Sequence, residues 1–350
     1  VVAQHPRLMV NSAIKTALLA KAAANHPDYV AMLAEANTYA TKPVLPFTQT
    51  NIHVWNTNYI FYSYYGSSWQ DAAMPLAFAH LVAKGNNTGS FPTAYSNKLI
   101  ELADVIIAAQ ADPNNNCAGC YNPIQGNGHY ASRHVGLVIG IIFDFCYDEL
   151  GATRRAQLVD VMNQWFDNIR QNGYQKNDRS TGNYFWGHAF AAACMGYASF
   201  GDNPAAQTMI DWARMRFDGT PSALVTSGYI PNDYLSQTFE GGYEPYAGMG
   251  WLSTPMSGNP QLGGQQIQGW AYGSHNWMRV MDYKNKKKTA TTEDLPAARQ
   301  NWLVQMMYAT KHALLPNRYE IDHYSDWGGN FGNLVPHSFP IRLAYLLANT

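Results

Sequence analysis

Apolar residues recur at steps of three and four along most of the chain, and this spacing is typical of amphipathic helices. The clearest stretch is residues 153–171, whose apolar positions are Leu158, Val161, Met162, Trp165 and Ile169. Strand-like alternation of apolar and polar residues is scarce. The pattern predicts helices over residues 11–24, 27–40, 69–83, 93–109, 129–150, 153–171, 183–200, 205–217, 240–252, 266–281, 296–314 and 336–348. We therefore expect an all-α fold.

The predicted helices are of two kinds that alternate along the chain. Residues 129–150, 183–200 and 240–252 are nearly free of charge, and a helix that is apolar on all sides is buried on all sides. Residues 153–171 and 205–217 carry Arg, Asp and Gln on one face. This alternation predicts a double-layered ring of helical hairpins, an (α/α) toroid whose inner helices line a cavity. No linker or shift in composition interrupts the chain, so we expect one domain over residues 1–350.

Charge and composition exclude several classes of protein. A net charge of -1 leaves no basic footprint for nucleic acid, and the longest apolar run, residues 135–143, is too short to span a membrane. Aromatic residues equal charged residues at 13% each, which fits an exported sugar-binding protein or simply a large aromatic core. We expect a secreted or periplasmic monomer whose signal peptide has been removed. The basic run Lys284–Lys288 is predicted to be a solvated loop.

The four cysteines predict no metal centre, because zinc would need a second ligand pair at a similar spacing. Cys117 and Cys120 lie in a loop rich in Asn and Pro, where we expect a small disulfide. Cys146 and Cys194 lie in apolar runs, as core thiols or as one buried bridge. We expect no cofactor.

Polar residues gather where the predicted inner helices begin, a place from which they would face the mouth of a cavity. The candidates in these clusters are His129, Arg133, His134, Asn183, Trp186, His188, Glu240, Tyr243 and Tyr246. A further polar stretch, residues 322–329, precedes the last predicted helix. Each candidate also has a structural interpretation: a helix cap for Asn183, a core histidine for His188, packed aromatic rings for the tyrosines and the tryptophan.

Several short motifs of this chain resemble those of heparinase II/III-like and alginate-lyase-like toroid polysaccharide lyases. They are His5-Pro6-Arg7-Leu8-Met9, His26-Pro27-Asp28-Tyr29, Tyr147-Asp148-Glu149-Leu150, Gly182-Asn183, Gly201-Asp202-Asn203-Pro204 and Glu240-Gly241-Gly242-Tyr243. The resemblance covers most of the chain in layout. It implies metal-independent β-elimination on a glycan that contains uronic acid, such as alginate or glucuronan.

The resemblance also implies roles for individual residues. Asn183 would neutralise the substrate carboxylate, so that the proton on C5 becomes acidic. Tyr243, with Tyr246 beside it, would act as the catalytic acid or base. The family often has His directly after this Asn, whereas this chain has Tyr184 there and His188 further on. The base is therefore open between His188, His134 and His129.

The remaining candidates would bind substrate. Arg133 would either clamp the glycan or pair with Glu240 or Asp148, and Trp186 would either stack on a sugar ring or pack in the core. Two other functions are compatible with the same sequence features. An inverting glycoside hydrolase would use Glu240 with a second carboxylate, and a non-catalytic glycan-binding protein would keep the aromatic residues without the chemistry.

Overall fold

The computed structural model describes residues 1–47, 58–61, 67–86, 93–112, 134–172, 183–218, 269–297, 300 and 303. The helices in these ranges are α1 (Ser12–Ala23), α2 (Pro27–Thr41), α3 (Ser67–Asn86), α4 (Ala94–Ala111), α5 (Val135–Phe145), α6 (Tyr147–Asn172), α7 (Asn183–Ser199), α8 (Ala206–Phe217) and α9 (Gly269–Thr291). The described residues form no strand beyond one isolated bridge between Val44 and Ile60. The predicted all-α class is confirmed for this part of the chain.

Local sequence accounts for the starts of the first two helices. The side chain of Asn11 caps α1 by accepting a hydrogen bond of 2.9 Å from the backbone N–H of Ile14. Pro27 occupies the first turn of α2, where its missing N–H costs nothing, and Asp28 adds a negative charge at the positive end of the helix dipole. The predicted helices 11–24 and 27–40 therefore match α1 and α2 closely.

Buried and amphipathic helices alternate from α5 to α8, as the sequence predicts. Every residue of α5 is buried, and so is every residue from Phe185 to Ser199 in α7. Helix α6 buries one face, which includes the five apolar positions that define its spacing. Helix α8 likewise keeps several polar residues exposed. This burial pattern places the charge-free helices in the core and the charged ones at the surface.

Glycines let α5 pack closely against α7. A Cβ atom on Gly136 would lie 2.4 Å from the Cβ of Ala191, and one on Gly140 would lie 3.1 Å from the backbone of Cys194. Real Cβ atoms do not approach as closely as 2.4 Å, so glycine is required at position 136, whereas a side chain at position 140 would force its neighbour to shift by a few tenths of an ångström. The two buried helices are thus in near-backbone contact.

The chain folds as two compact units. The first comprises Val1–Asn177, Ala191–Ile210 and Lys286–Thr292, and the second comprises Asp178–Phe190, Asp211–Asn285 and Glu293–Thr350.

The structure corrects the predicted boundary between the fifth and sixth helices. Of the helix expected over residues 129–150, the described part is α5, which ends at Phe145, and Tyr147 begins α6. Gly151 then interrupts α6 with a φ of 66°, a left-handed conformation that favours glycine. Residues 147–150 therefore form a short turn that is kinked away from the long amphipathic helix.

The predicted solvated loop at Lys284–Lys288 is wrong. This run lies inside α9, and Lys284, Lys286 and Lys287 are only 4%, 5% and 3% exposed. Lysine carries a long aliphatic stem that packs against apolar neighbours, so charge alone does not predict exposure.

The structure decides between the two interpretations of the buried cysteines. Cys146 and Cys194 are free, fully buried thiols, and burial raises the pKa of Cys146. They are core residues and not a bridge. Cys117 and Cys120 lie outside the described residues.

Candidate functional site

The structure describes four of the nine predicted site residues: His134, Asn183, Trp186 and His188. His134 belongs to the first unit and the other three belong to the second. The predicted site residues that lie outside the described part of the chain are His129, Arg133, Glu240, Tyr243 and Tyr246. The polar stretch 322–329 also lies outside it.

Asn183 begins helix α7, and His188 lies five residues further along it. Five residues turn an α-helix by roughly 500°, so these two positions are about 140° apart around the axis. The two positions therefore lie on different sides of the helix axis. The imidazole of His188 is fully buried, whereas a base that meets substrate must reach the reacting proton.

Trp186 is fully buried in the second unit. Its ring packs edge-on against Phe185 at 5.2 Å and at a tilt against Phe217 at 5.3 Å, measured between ring centroids. A ring that stacks on a sugar needs an exposed face, so this geometry is that of a core tryptophan.

Two buried guanidinium groups lie beside aromatic rings in the same unit. Arg216 lies 3.7 Å from the centroid of Trp212 and 5.4 Å from that of Phe185, and Arg279 lies 5.0 Å from that of Phe190. Both arginines are less than one-tenth exposed. The first turns of the charge-free helix α7 thus have positive charge next to them.

His134 occupies the N-cap position of α5, the fully buried helix of the first unit. Its Nδ1 lies 2.7 Å from Oε1 of Gln70, so the two side chains share a hydrogen bond. This bond fixes the orientation of the imidazole ring and leaves the other ring nitrogen for a different partner.

A second cluster, in the first unit, joins the start of the chain to the end of α5. Asp144 is fully buried, and its Oδ1 lies 2.6 Å from Nδ1 of His5. Its Oδ2 accepts bonds of 2.7 Å from the backbone N–H groups of Arg7 and Leu8. Burial raises the pKa of Asp144, and the bonds from His5 and the two backbone groups oppose that rise.

The guanidinium group of Arg7 satisfies carbonyl groups at the end of α7. It donates to the carbonyl oxygens of Tyr197, Ala198 and Phe200 at 3.3, 3.2 and 2.7 Å, and to that of Ala3 at 3.1 Å. The last carbonyls of a helix have no partner within it, and they carry the negative end of its dipole. Arg7 therefore caps α7 electrostatically and by hydrogen bonding.

A third set of charges surrounds Glu149, just after α5. Its Oε1 lies 3.2 Å from Nε2 of His80 and 2.9 Å from the ammonium of Lys84, which also binds Asp148 at 2.7 Å. Burial opposes ionisation of Glu149, but the close contacts with His80 and Lys84 prevail and lower its pKa to about 2. Glu149 is thus ionised at neutral pH.

Sequence reasoning missed these clusters, although it singled out the His5-Pro6-Arg7 motif. The signal that would have found the first cluster is Asp144, the one charged residue in the apolar run Val135–Phe145. A carboxylate buried there needs a partner. Nothing local identifies that partner, because His5 lies 139 residues away in sequence.

Comparisons with protein-family models and with curated proteins give no match for this chain. No described helix combines the length and the apolar character needed to cross a membrane. Within the described residues, no group of three or more His, Cys, Asp or Glu side chains is arranged to hold a metal ion.

Proposed function

We propose that this protein is a polysaccharide lyase of the (α/α) toroid type, which cleaves a uronic-acid glycan such as alginate or glucuronan by β-elimination. The observation that carries the proposal is helix α7. It begins at Asn183, is buried from Phe185 onward, bears no charged side chain, and has the guanidinium groups of Arg216 and Arg279 over the rings of neighbouring residues. An amide donor at the start of this helix would favour a substrate that carries a carboxylate.

The chemistry follows from the acidity of the C5 proton. A free uronate carboxylate opposes carbanion formation at C5, and hydrogen bonding from the Asn183 amide would neutralise part of its charge. A base then removes the proton, and an acid returns one to the glycosidic oxygen as the C4–O4 bond breaks. Tyr243, with Tyr246 beside it, is the proposed acid or base. The proposal does not use His188 as the base, because its imidazole is fully buried.

The alternation of buried and amphipathic helices from α5 to α8 supports the toroid part of the proposal. In such a fold the buried helices form the inner layer, and their starts share one rim of the cavity. The proposed substrate-binding residues Arg133 and Glu240 precede or begin predicted inner helices. The proposal also includes export, since acidic polysaccharides are extracellular polymers.

The test is ultraviolet absorbance during incubation of the purified protein with alginate, glucuronan, pectate, chondroitin and heparan in the presence of EDTA. Elimination produces an unsaturated uronate that absorbs, whereas hydrolysis produces reducing ends alone. We expect the chromophore with the wild type and its loss in Asn183→Ala. The exposed Asn97→Ala variant on α4 is the matched control and should keep full activity.

Two results would overturn the proposal. Reducing ends without the chromophore would indicate an inverting hydrolase that uses Glu240. Binding of a glycan with neither product, by the wild type and by Tyr243→Phe alike, would indicate a non-catalytic glycan-binding protein.

A further inference from the structure

A cavity of about 340 Å³ lies in the first unit, between the start of the chain, α1, α3 and the end of α5. Its volume is within the range of small-molecule sites. The lining includes His5, Lys15, His80, Lys84, Asp144 and Asp148. The cavity thus brings together ionisable groups from four separate segments of the chain.

The orientation of His5 in this cavity is fixed. Its Nδ1 is bonded to the buried Asp144, and its ring stacks on Tyr147 with centroids 4.0 Å apart and planes 12° apart. Among the described residues the His5 side chain makes one hydrogen bond, through Nδ1 to Asp144, and the side chain is 12% exposed. A carboxylate on one ring nitrogen sets the imidazole in place and leaves the other nitrogen to meet a ligand.

The cavity lining has two ammonium groups and two carboxylates, but these groups are not paired one to one. Lys84 is paired with Asp148 and Glu149, and Asp144 is paired with His5 and two backbone N–H groups. Lys15 has no acidic partner in the described part of the chain, and its side chain is half-buried. The cavity therefore offers one ammonium without a direct acidic partner together with one open imidazole nitrogen.

We propose that this cavity is a binding site for a small hydroxylated carboxylate. The ammonium of Lys15 binds the carboxylate, and Nε2 of His5 exchanges a hydrogen bond with a hydroxyl group. A carboxylate gains a charge-assisted bond from the ammonium. A hydroxyl both donates and accepts, so it satisfies the imidazole in either protonation state. The site is built from residues of the first unit and uses none of the residues proposed for elimination.

The experiment is a titration of the full chain with glucuronate, followed by the NMR signals of the His5 imidazole and by calorimetry. Separate titrations with acetate and with glucose distinguish the contribution of the carboxylate to binding from that of the hydroxyl groups. We expect a saturable shift of the His5 signals with glucuronate, and weaker binding of both acetate and glucose. Oligoglucuronate distinguishes a free sugar acid from the end of a glycan chain, because only a site for chain ends would bind the oligomer as well as the monomer.

Lys15→Met tests the ammonium without touching the contacts that hold the start of the chain. We expect glucuronate binding to weaken by roughly tenfold, as for loss of one charge-assisted hydrogen bond. Lys21→Met is the matched control, since Lys21 lies on the same helix but pairs with Asp28 at the surface, and its affinity should equal that of the wild type. His5→Gln should also weaken binding.

The proposal is overturned if the wild type shows no saturable change with glucuronate, or if Lys15→Met and Lys21→Met bind it equally. It is also overturned if acetate binds as tightly as glucuronate, because the hydroxyl contact would then contribute nothing. Binding is measured without turnover, so this result is independent of whether the protein has lyase activity.

Discussion

Removal of the Asp144 carboxylate is the most informative single change in the first unit. Asp144→Ala deletes a fully buried group that accepts three hydrogen bonds, one from His5 and two from the backbone of Arg7 and Leu8. The two backbone N–H groups would then be buried without a partner, and the positive charge of Arg7 would lose its nearest compensation. The change therefore removes several contacts at once and adds no favourable one.

The structure sets the size of the expected effect. Leaving a buried donor unsatisfied costs about 1–3 kcal/mol, and breaking a buried charged pair from one side costs about 3–5 kcal/mol. These contributions overlap, so we expect Asp144→Ala to lower the free energy of unfolding by about 3–5 kcal/mol. His5→Ala removes only the partly exposed side of the cluster, and its cost should be about 1–2 kcal/mol.

The assay is urea unfolding of the wild type, both single variants and the double variant, followed by circular dichroism. Since His5 and Asp144 are in direct contact, their effects should not add, and the coupling free energy should be about 1–3 kcal/mol. Asp144→Asn is the matched control, because it keeps an oxygen that accepts from the backbone and should cost less than Asp144→Ala. A loss below about 1 kcal/mol for Asp144→Ala, or a coupling of zero, would refute the proposed role of this cluster.

Three further predictions follow from the described contacts. Gly136→Ala should destabilise the protein by about 1–3 kcal/mol, because the new Cβ would meet Ala191 at 2.4 Å. Gly85→Ala is the control: its Cβ would meet only the flexible end of a leucine, so it should be neutral or stabilising. Equal unfolding midpoints for the two variants would contradict this prediction. Glu149 has a lowered pKa in the fold, so its stabilisation is complete above its ordinary value of 4.5 and is lost as the pH falls toward 2; unfolding midpoints measured across this range should fall less steeply in Glu149→Gln. Cys146 should resist iodoacetamide in the native state and react after unfolding, as judged by peptide mass spectrometry, because burial raises the pKa of its thiol; rapid native labelling would show that it is accessible.

Helix positions could be predicted where the sequence carries its own local signals. The Asn11 cap and Pro27 define the starts of α1 and α2, and the spacing of three and four fixes the buried face of α6. The break between α5 and α6 is harder to predict, because the apolar run continues up to it through Phe145. The left-handed Gly151 then separates the short turn at the start of α6 from the long helix. Caps and apolar spacing are properties of residues that are close in sequence, so they can be predicted from the sequence pattern.

Other features depend on residues far apart in sequence. The burial of Lys286 and Lys287 follows from packing around α9, and a count of charges predicts the opposite. Likewise, periodicity assigns Asp144 to an apolar helix but contains no information about His5. For the candidate site, the sequence placed Asn183 correctly at the start of a charge-free helix. The sequence does not decide whether Trp186 binds a sugar or packs in the core, and its tertiary packing against Phe217 favours the core.

The motif His5-Pro6-Arg7 at the start of the chain has a structural role, which differs from the catalytic family resemblance that it carries. His5 and Arg7 bind the ends of the buried helices α5 and α7, one through the Asp144 carboxylate and the other through terminal carbonyls. Packing alone therefore requires these residue types, so their presence is not evidence for elimination chemistry. The lyase proposal depends instead on the start of α7, and the ligand proposal depends on Lys15 and on the second nitrogen of His5. Because the two depend on different atoms, Asn183→Ala should abolish turnover while glucuronate still binds, and Lys15→Met should weaken that binding while turnover persists.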